Sequence, residues 1–122
     1  MKTVFIYLLI SFINFSSLEN LILSLEIRSV KDISNYFNSK TEIIINDKAY
    51  KGNKFQLSTT LDNFYDENEI NNFKIIHKGD SENNLIYILA EYSSNNDIYK
   101  IFLTLFKTEK KYTIQKFKID TK

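Results

Sequence analysis

A chain of 122 residues has room for one domain, and a 43% hydrophobic content is ample for a single core. With no Cys it cannot build a disulfide framework, a thiolate metal site, a cysteine nucleophile or a lipid anchor on an N-terminal Cys. Sixteen basic against fifteen acidic residues leave a formal charge of +1, which gives no net attraction to nucleic acid.

Lys2 precedes the apolar run Val4-Phe5-Ile6-Tyr7-Leu8-Leu9-Ile10, with Phe12 and Ile13 beyond it, the pattern of a secretory signal. A membrane-spanning helix needs about 20 mostly apolar residues, and Ser11, Asn14, Ser16 and Ser17 interrupt too early. Residues 1–17 are therefore expected to direct export and be cleaved, with an uncleaved anchor and a packed cytosolic helix as the alternatives. No small-x-small cleavage pattern accompanies Ser16 and Ser17. The remaining residues, 18–122, form one expected domain.

Ser16 followed three residues later by Glu19 reads as a capping box. The helix it opens runs from about Ser17 to Ile27, with Leu18, Leu21, Ile22 and Leu25 on one stripe. Ser29 caps a short second helix in which Val30, Ile33 and Phe37 share a face, ending near Asn38. The β-branched run Thr41 to Ile45, the turn signal Asn46-Asp47 and Lys48-Ala49-Tyr50 predict a small hairpin. Asn53 with Gln56 caps a third helix, buried through Leu57, Leu61 and Phe64 and stopping around Tyr65.

Four strand-like segments follow: Phe73 to Lys78, Leu85 to Ser93, Ile98 to Lys107 and Tyr112 to Ile119. The gaps between them are too short for parallel crossovers, so they form an antiparallel meander. In the last strand the apolar parity switches between Gln115 and Lys116, which a β-bulge explains, as would apolar residues on both faces. The fold class is α+β, with N-terminal helices packed on one face of a curved antiparallel sheet. Asp62, Asp66, Glu67 and Glu69 form an acidic cluster, and Lys100, Lys107, Lys110, Lys111, Lys116, Lys118 and Lys122 load the C-terminal end. Both read as solvated faces, or as two patches meeting between neighbouring subunits.

Val30 to Phe37 (VKDISNYF), Phe73 to Ser81 (FKIIHKGDS), Tyr99 to Phe102 (YKIF) and Lys111 to Asp120 (KYTIQKFKID) resemble a family of exported bacterial proteins, mainly from Bacteroidetes, known as domain of unknown function 4783. The resemblance covers roughly Leu21 to Asp120, and its motifs are packing motifs. It implies a nuclear-transport-factor-2-like, or cystatin-like, cone: three helices over a curved sheet, with a cavity that relatives in other branches use for isomerisation, dehydration or binding. Ala90 stands where the family tends to have Gly, so a small residue is retained. The family brings no established activity to carry over.

His77, the single histidine, shares strand parity with Phe73 and Ile75, which aims it either into the cone or across the sheet. Glu91 lies on the parity of Leu85, Tyr87 and Leu89, which makes it a candidate for the inside; Asp47 is a second carboxylate candidate. Tyr36, Tyr87, Tyr92, Tyr99 and Tyr112 either line a pocket or fill the core. No metal-ligand spacing, phosphate loop or nucleophile elbow occurs, so neither a cofactor nor a metal is expected. Lys100, Lys116 and Lys118 with nearby aromatic rings suggest a nucleic-acid platform only weakly, since charge balance and export oppose it.

The leading expectation is a periplasmic or secreted, non-enzymatic domain that binds a ligand or an envelope protein through its cavity or sheet face. The alternative is a small isomerase- or dehydratase-type enzyme with His77 or Glu91 as base and a tyrosine such as Tyr87 as electrophile. A homodimer through the sheet is a third use of the same architecture.

Overall fold

The computed structural model describes residues 17–109 and 111–122. The targeting segment expected over residues 1–17 lies, but for Ser17, outside the described residues, as does the Ser16 side of the first capping box.

Helix α1, Ser17–Ile27, buries Leu21 and Leu25 completely and packs Leu18 and Ile22 against the same core, which is the expected stripe. It ends in a Schellman motif: the Ser29 N–H bonds the Ser24 carbonyl at 2.9 Å and the Arg28 N–H bonds the Leu25 carbonyl at 3.3 Å. Arg28 holds the left-handed position, φ 57°. Helix α2, Val30–Ile33, is one turn capped by Ser29 and continues as a 3₁₀ turn over Ser34–Tyr36. Together they make the expected second helix and bury Val30 and Ile33.

Strands β1, Glu42–Ile45, and β2, Lys48–Tyr50, form the expected hairpin. Asn46 and Asp47 both take positive φ, 48° and 71°, as a two-residue turn matched to strand twist requires. Helix α3, Lys54–Glu67, opens with a complete capping box, since Gln56 N–H bonds Asn53 Oδ1 at 2.8 Å and Asn53 N–H bonds Gln56 Oε1 at 2.9 Å. It buries Leu57, Leu61 and Phe64 and runs to Glu67, past the expected stop near Tyr65.

The meander consists of β3, Asn72–Asp80; β4, Leu85–Ser93; β5, Ile98–Lys107; and β6, Tyr112–Thr121. All six strands form one sheet in the order β2-β1-β6-β5-β4-β3. The sheet is not wholly antiparallel: β1 pairs with β6 in parallel, Ile43 opposite Phe117. The long intervening chain, α3 and four strands, supplies the crossover that a parallel pair needs. Strand β4 alternates strictly, with Ile86, Ile88, Ala90 and Tyr92 buried on the helix side. On this face Ala90 sits between Ile75 and Ile101, and α1 and α3 close over the row.

Two bulges bend the ribbons. In β6 the register passes from Thr104 opposite Lys116 to Leu105 opposite Ile114, so Gln115 is the extra residue, where the parity switch places it. Near this bulge the Ile114 carbonyl accepts the Thr41 hydroxyl at 2.6 Å, while Thr41 Oγ1 accepts the Asn38 N–H at 2.8 Å. In β3 the register passes from Ile75 opposite Ala90 to His77 opposite Leu89, leaving Ile76 unpaired. That second bulge is not visible as an alternation change, because Ile75 and Ile76 are both apolar.

Candidate functional site

The concave side of the sheet is filled by rings. Tyr92 is fully buried, and its hydroxyl donates to the Leu25 carbonyl of α1 at 2.6 Å. Tyr65, in the last turn of α3, lies 2.7 Å from the same hydroxyl, with the two rings edge to face at 5.8 Å. Phe73 packs against Tyr92 at 5.3 Å, and Phe64 meets Tyr99 edge-on at 5.6 Å. Burial, above all, pushes the ionisation of both Tyr65 and Tyr92 upward. Tyr92 and Tyr99 therefore take the core-filling role among the five candidate tyrosines. Tyr36 and Tyr112 are half-buried, Tyr36 with its ionisation raised by burial and by Asp32.

His77, Tyr87 and Glu91 all lie on the other face. The Ile76 bulge reverses the parity of His77 relative to Phe73 and Ile75, so it stands beside Leu89 on the solvent side. Glu91, expected inside with Leu85, Tyr87 and Leu89, is outside with all three, because the opposite parity of β4 carries the core. His77 Nε2 is 3.3 Å from the Tyr87 hydroxyl, with ring centroids 5.6 Å apart. Glu91 is four residues from Tyr87 along β4, roughly 13 Å at strand rise, and faces Lys74 Nζ at 3.8 Å. The structure joins His77 to Tyr87 and leaves Glu91 apart. Asp47 is exposed in the β1–β2 turn.

Gly79 belongs with this group although sequence reasoning passed over it. It pairs directly with Tyr87, and a Cβ on it would lie 2.7 Å from the Tyr87 hydroxyl and 2.9 Å from Cζ. Its bare backbone is the shelf on which the ring rests beside His77. A Gly within a nine-residue strand is the signal that points to it.

The outer face carries two kinds of surface. Leu85, Tyr87 and Leu89 of β4 lie opposite Phe106, Thr104 and Phe102 of β5. Phe102 and Phe106 keep 37% and 42% of their surface exposed, and Ile98 on the same parity keeps 42%. Beyond this strip, Lys74, Glu91, Lys100 and Asp120 stand opposite one another across β3, β4, β5 and β6, a row of alternating sign. A further ion pair joins Lys118 to Asp120 at 3.8 Å. The Phe102–Phe106 parity is readable from sequence; the charge row requires the register.

Open depressions of about 330, 390 and 420 Å³ flank the cone, and Tyr92, Phe73 and Tyr99 line none of them. No cluster of His, Cys, Asp or Glu among the described residues could hold a metal ion. No described helix is long and apolar enough to cross a membrane.

The model of the family described as "Domain of unknown function (DUF4783)" matches residues 18–120. Among solved structures, a DUF4783 family protein from Bacteroides ovatus ATCC 8483 superposes with a TM-score of 0.76 at 17% identity, covering 84% of this chain and 93% of that one. A DUF4783 family protein from Bacteroides uniformis ATCC 8492 gives 0.76 at 19% identity, covering 85% and 95%. An NTF-2 like protein of unknown function from Silicibacter pomeroyi DSS-3 gives 0.65 at 11% identity, covering 88% and 94%. The comparison with curated proteins returned no match. At these identities the structural likeness establishes the fold, an α+β cone of the nuclear-transport-factor-2-like type.

Proposed function

The chain belongs to the DUF4783 family, a domain of unknown function with a nuclear-transport-factor-2-like fold, and we propose that it is an exported, non-enzymatic binding domain that takes an envelope protein on the outer face of its sheet. The observation that carries this reading is the uncovered apolar strip of Leu89, Phe102 and Phe106, bordered by ordered charges. An apolar centre with a charged rim is the anatomy of a protein interface. The concave side favours the outer face further, because its space is taken by the rings of Phe64, Phe73, Tyr92 and Tyr99. Export rests on Lys2 and the apolar run after it, and is tested by fractionation with the mass of the mature chain.

A photo-crosslinking residue at Phe102 or Phe106 tests the surface, with one at Phe55, exposed at the start of α3, as control. Envelope adducts at the sheet positions above the Phe55 level support the proposal. Equal labelling at all three sites removes it.

The alternating row favours a second reading, in which the partner is another copy of this chain. If the two-fold axis runs along the strands between β4 and β5, Lys74 meets Asp120 and Glu91 meets Lys100 of the other copy, and Leu89 meets Phe102. Sedimentation decides between the readings: a dimer dispersed by Phe102→Lys assigns the face to self-association, and a monomer at high concentration excludes it. The isomerase or dehydratase alternative uses His77 and Tyr87, which are adjacent but lie on an open face rather than in a water-excluding pocket. Turnover that persists in His77→Ala and Glu91→Ala would end it.

A further inference from the structure

We infer that the cleft of about 390 Å³ between α3 and the β1–β2 hairpin is a binding site for a small, neutral polyhydroxylated ring, a molecule of monosaccharide size. This cleft shares only Phe64 with the rings that fill the interior and none of the outer-face strip of Leu89, Phe102 and Phe106, and its lining has a definite chemical character. Asn63 and Glu67 stand one helical turn apart on α3 and face the hairpin residues Asn46 and Tyr50 across the opening. Phe64 forms part of the floor, and Thr121 closes the end next to Asn46.

The hairpin wall is held in place by the fold. Asn46 N–H bonds the Ile119 carbonyl at 2.9 Å, Asn46 Oδ1 accepts the Thr121 N–H at 2.8 Å, and Asn46 Nδ2 bonds Thr121 Oγ1 at 3.2 Å. On the helix wall, Asn68 spends its Nδ2 on the Phe64 carbonyl at 2.8 Å, which leaves its Oδ1 to accept. Asn63 and Glu67 form no side-chain hydrogen bond or ion pair among the described residues. The cleft thus presents a carboxylate that only accepts, an amide that donates and accepts, and a carbonyl oxygen, with no cation in its lining.

A ligand matching that set must donate to Glu67, exchange bonds with Asn63 and offer an apolar face to an aromatic ring. Vicinal hydroxyls on a saturated ring do all three: each hydroxyl donates and accepts, and the ring C–H edges lie against an aromatic surface. An anion is opposed by Glu67. Lys48 Nζ already covers one side of the Tyr50 ring, 5.3 Å from its centroid, so the ligand meets the opposite side or the rim. The volume admits one such ring with its bridging waters.

The test is a nuclear magnetic resonance titration of the full domain with D-glucose, D-galactose, D-mannose and N-acetylglucosamine at tens of millimolar, following backbone amides. Saturable shifts at Asn46, Tyr50, Asn63 and Glu67 with at least one sugar are the expected result. Glu67→Ala should weaken that binding about tenfold, as removal of a charged acceptor does, with Glu67→Gln intermediate. Glu67 is exposed, so an unchanged thermal midpoint separates lost binding from lost fold. Absence of shifts at these amides with all four sugars overturns the inference. Shifts produced by methylammonium and by none of the sugars overturn it equally, since they would make Glu67 a simple cation contact.

Discussion

The hydroxyl of Tyr65 donates to that of Tyr92, because Tyr92 has one proton and gives it to the Leu25 carbonyl 2.6 Å away. This short chain ties α3, β4 and α1 together at the point where the rings fill the cone. Tyr92→Phe removes both bonds and leaves the Tyr65 hydroxyl half-buried without its acceptor, at an expected cost of about 2 kcal/mol. Tyr65→Phe leaves the Tyr92–Leu25 bond intact and should cost about 1 kcal/mol. Denaturation midpoints of the two variants check the order; a larger loss for Tyr65→Phe would reverse the assigned proton direction.

The same pair makes the domain sensitive to alkali. Both phenols ionise above the ordinary value of 10.0 in the fold, chiefly through burial, so the folded state holds protons that the unfolded chain releases. Stability from this source is complete below pH 10 and falls as pH rises from there toward the folded values. Unfolding free energy measured between neutral and strongly alkaline pH should decline above pH 10 in the native protein. In the Tyr65→Phe, Tyr92→Phe double variant that decline should be shallower, and an equal slope would show that other groups cause it.

Most of the architecture was legible because short-range chemistry states it: Asn53 with Gln56 for a helix start, Asn46-Asp47 for a hairpin, and period-two segments for the meander. The Gln115 bulge was legible too, since Tyr112 and Ile114 differ in parity from Phe117 and Ile119. What remained hidden depends on register. Ile76, apolar like Ile75 before it, slips out of the ladder without marking the change, so His77 looked aligned with Phe73 and Ile75 and is not. Glu91 was misplaced for a related reason: both parities of β4 carry apolar residues, and only the helices decide which is covered. The parallel partner of β1 could not be read, because it lies some 70 residues away, Ile43 against Phe117.

Thr41 offers a test of how the β6 bulge is tolerated. It is 1% exposed, donates to the Ile114 carbonyl and accepts the Asn38 N–H. Thr41→Val keeps the shape and strips both partners of their bond, which should cost about 2 kcal/mol. Thr41→Ser retains the hydroxyl and should lose less, about 1 kcal/mol for the missing methyl. Equal losses in the two variants, read from urea midpoints, would mean that packing rather than the carbonyl bond holds this site.

Gly79 controls the His77–Tyr87 contact without touching either residue's chemistry. In Gly79→Ala the new Cβ would overlap the far end of the Tyr87 side chain, which can swing aside, whereas the backbone φ permits alanine. The expected outcome is a displaced Tyr87 ring, seen as shifted ring resonances for Tyr87 and His77, with little change in thermal midpoint. Unmoved resonances would show that the ring does not rest on this glycine.

Arg28 occupies the left-handed position of the α1 Schellman motif, where a side chain is strained and glycine is not. The position costs a non-glycine residue roughly 1–2 kcal/mol, against which glycine carries about 0.5–1 kcal/mol of extra chain entropy. Its guanidinium contributes an exposed bond to the Glu26 carbonyl at 3.1 Å, a contact that water replaces readily. Arg28→Gly should therefore raise stability by about 0.5–1 kcal/mol, with Arg28→Asn between the two because asparagine tolerates this region better than most side chains. Midpoints that fall in the order Gly, Asn, Arg from most to least stable support backbone strain as the cause. A less stable glycine variant would instead assign Arg28 a stabilising role through its positive charge at the C-terminal end of α1.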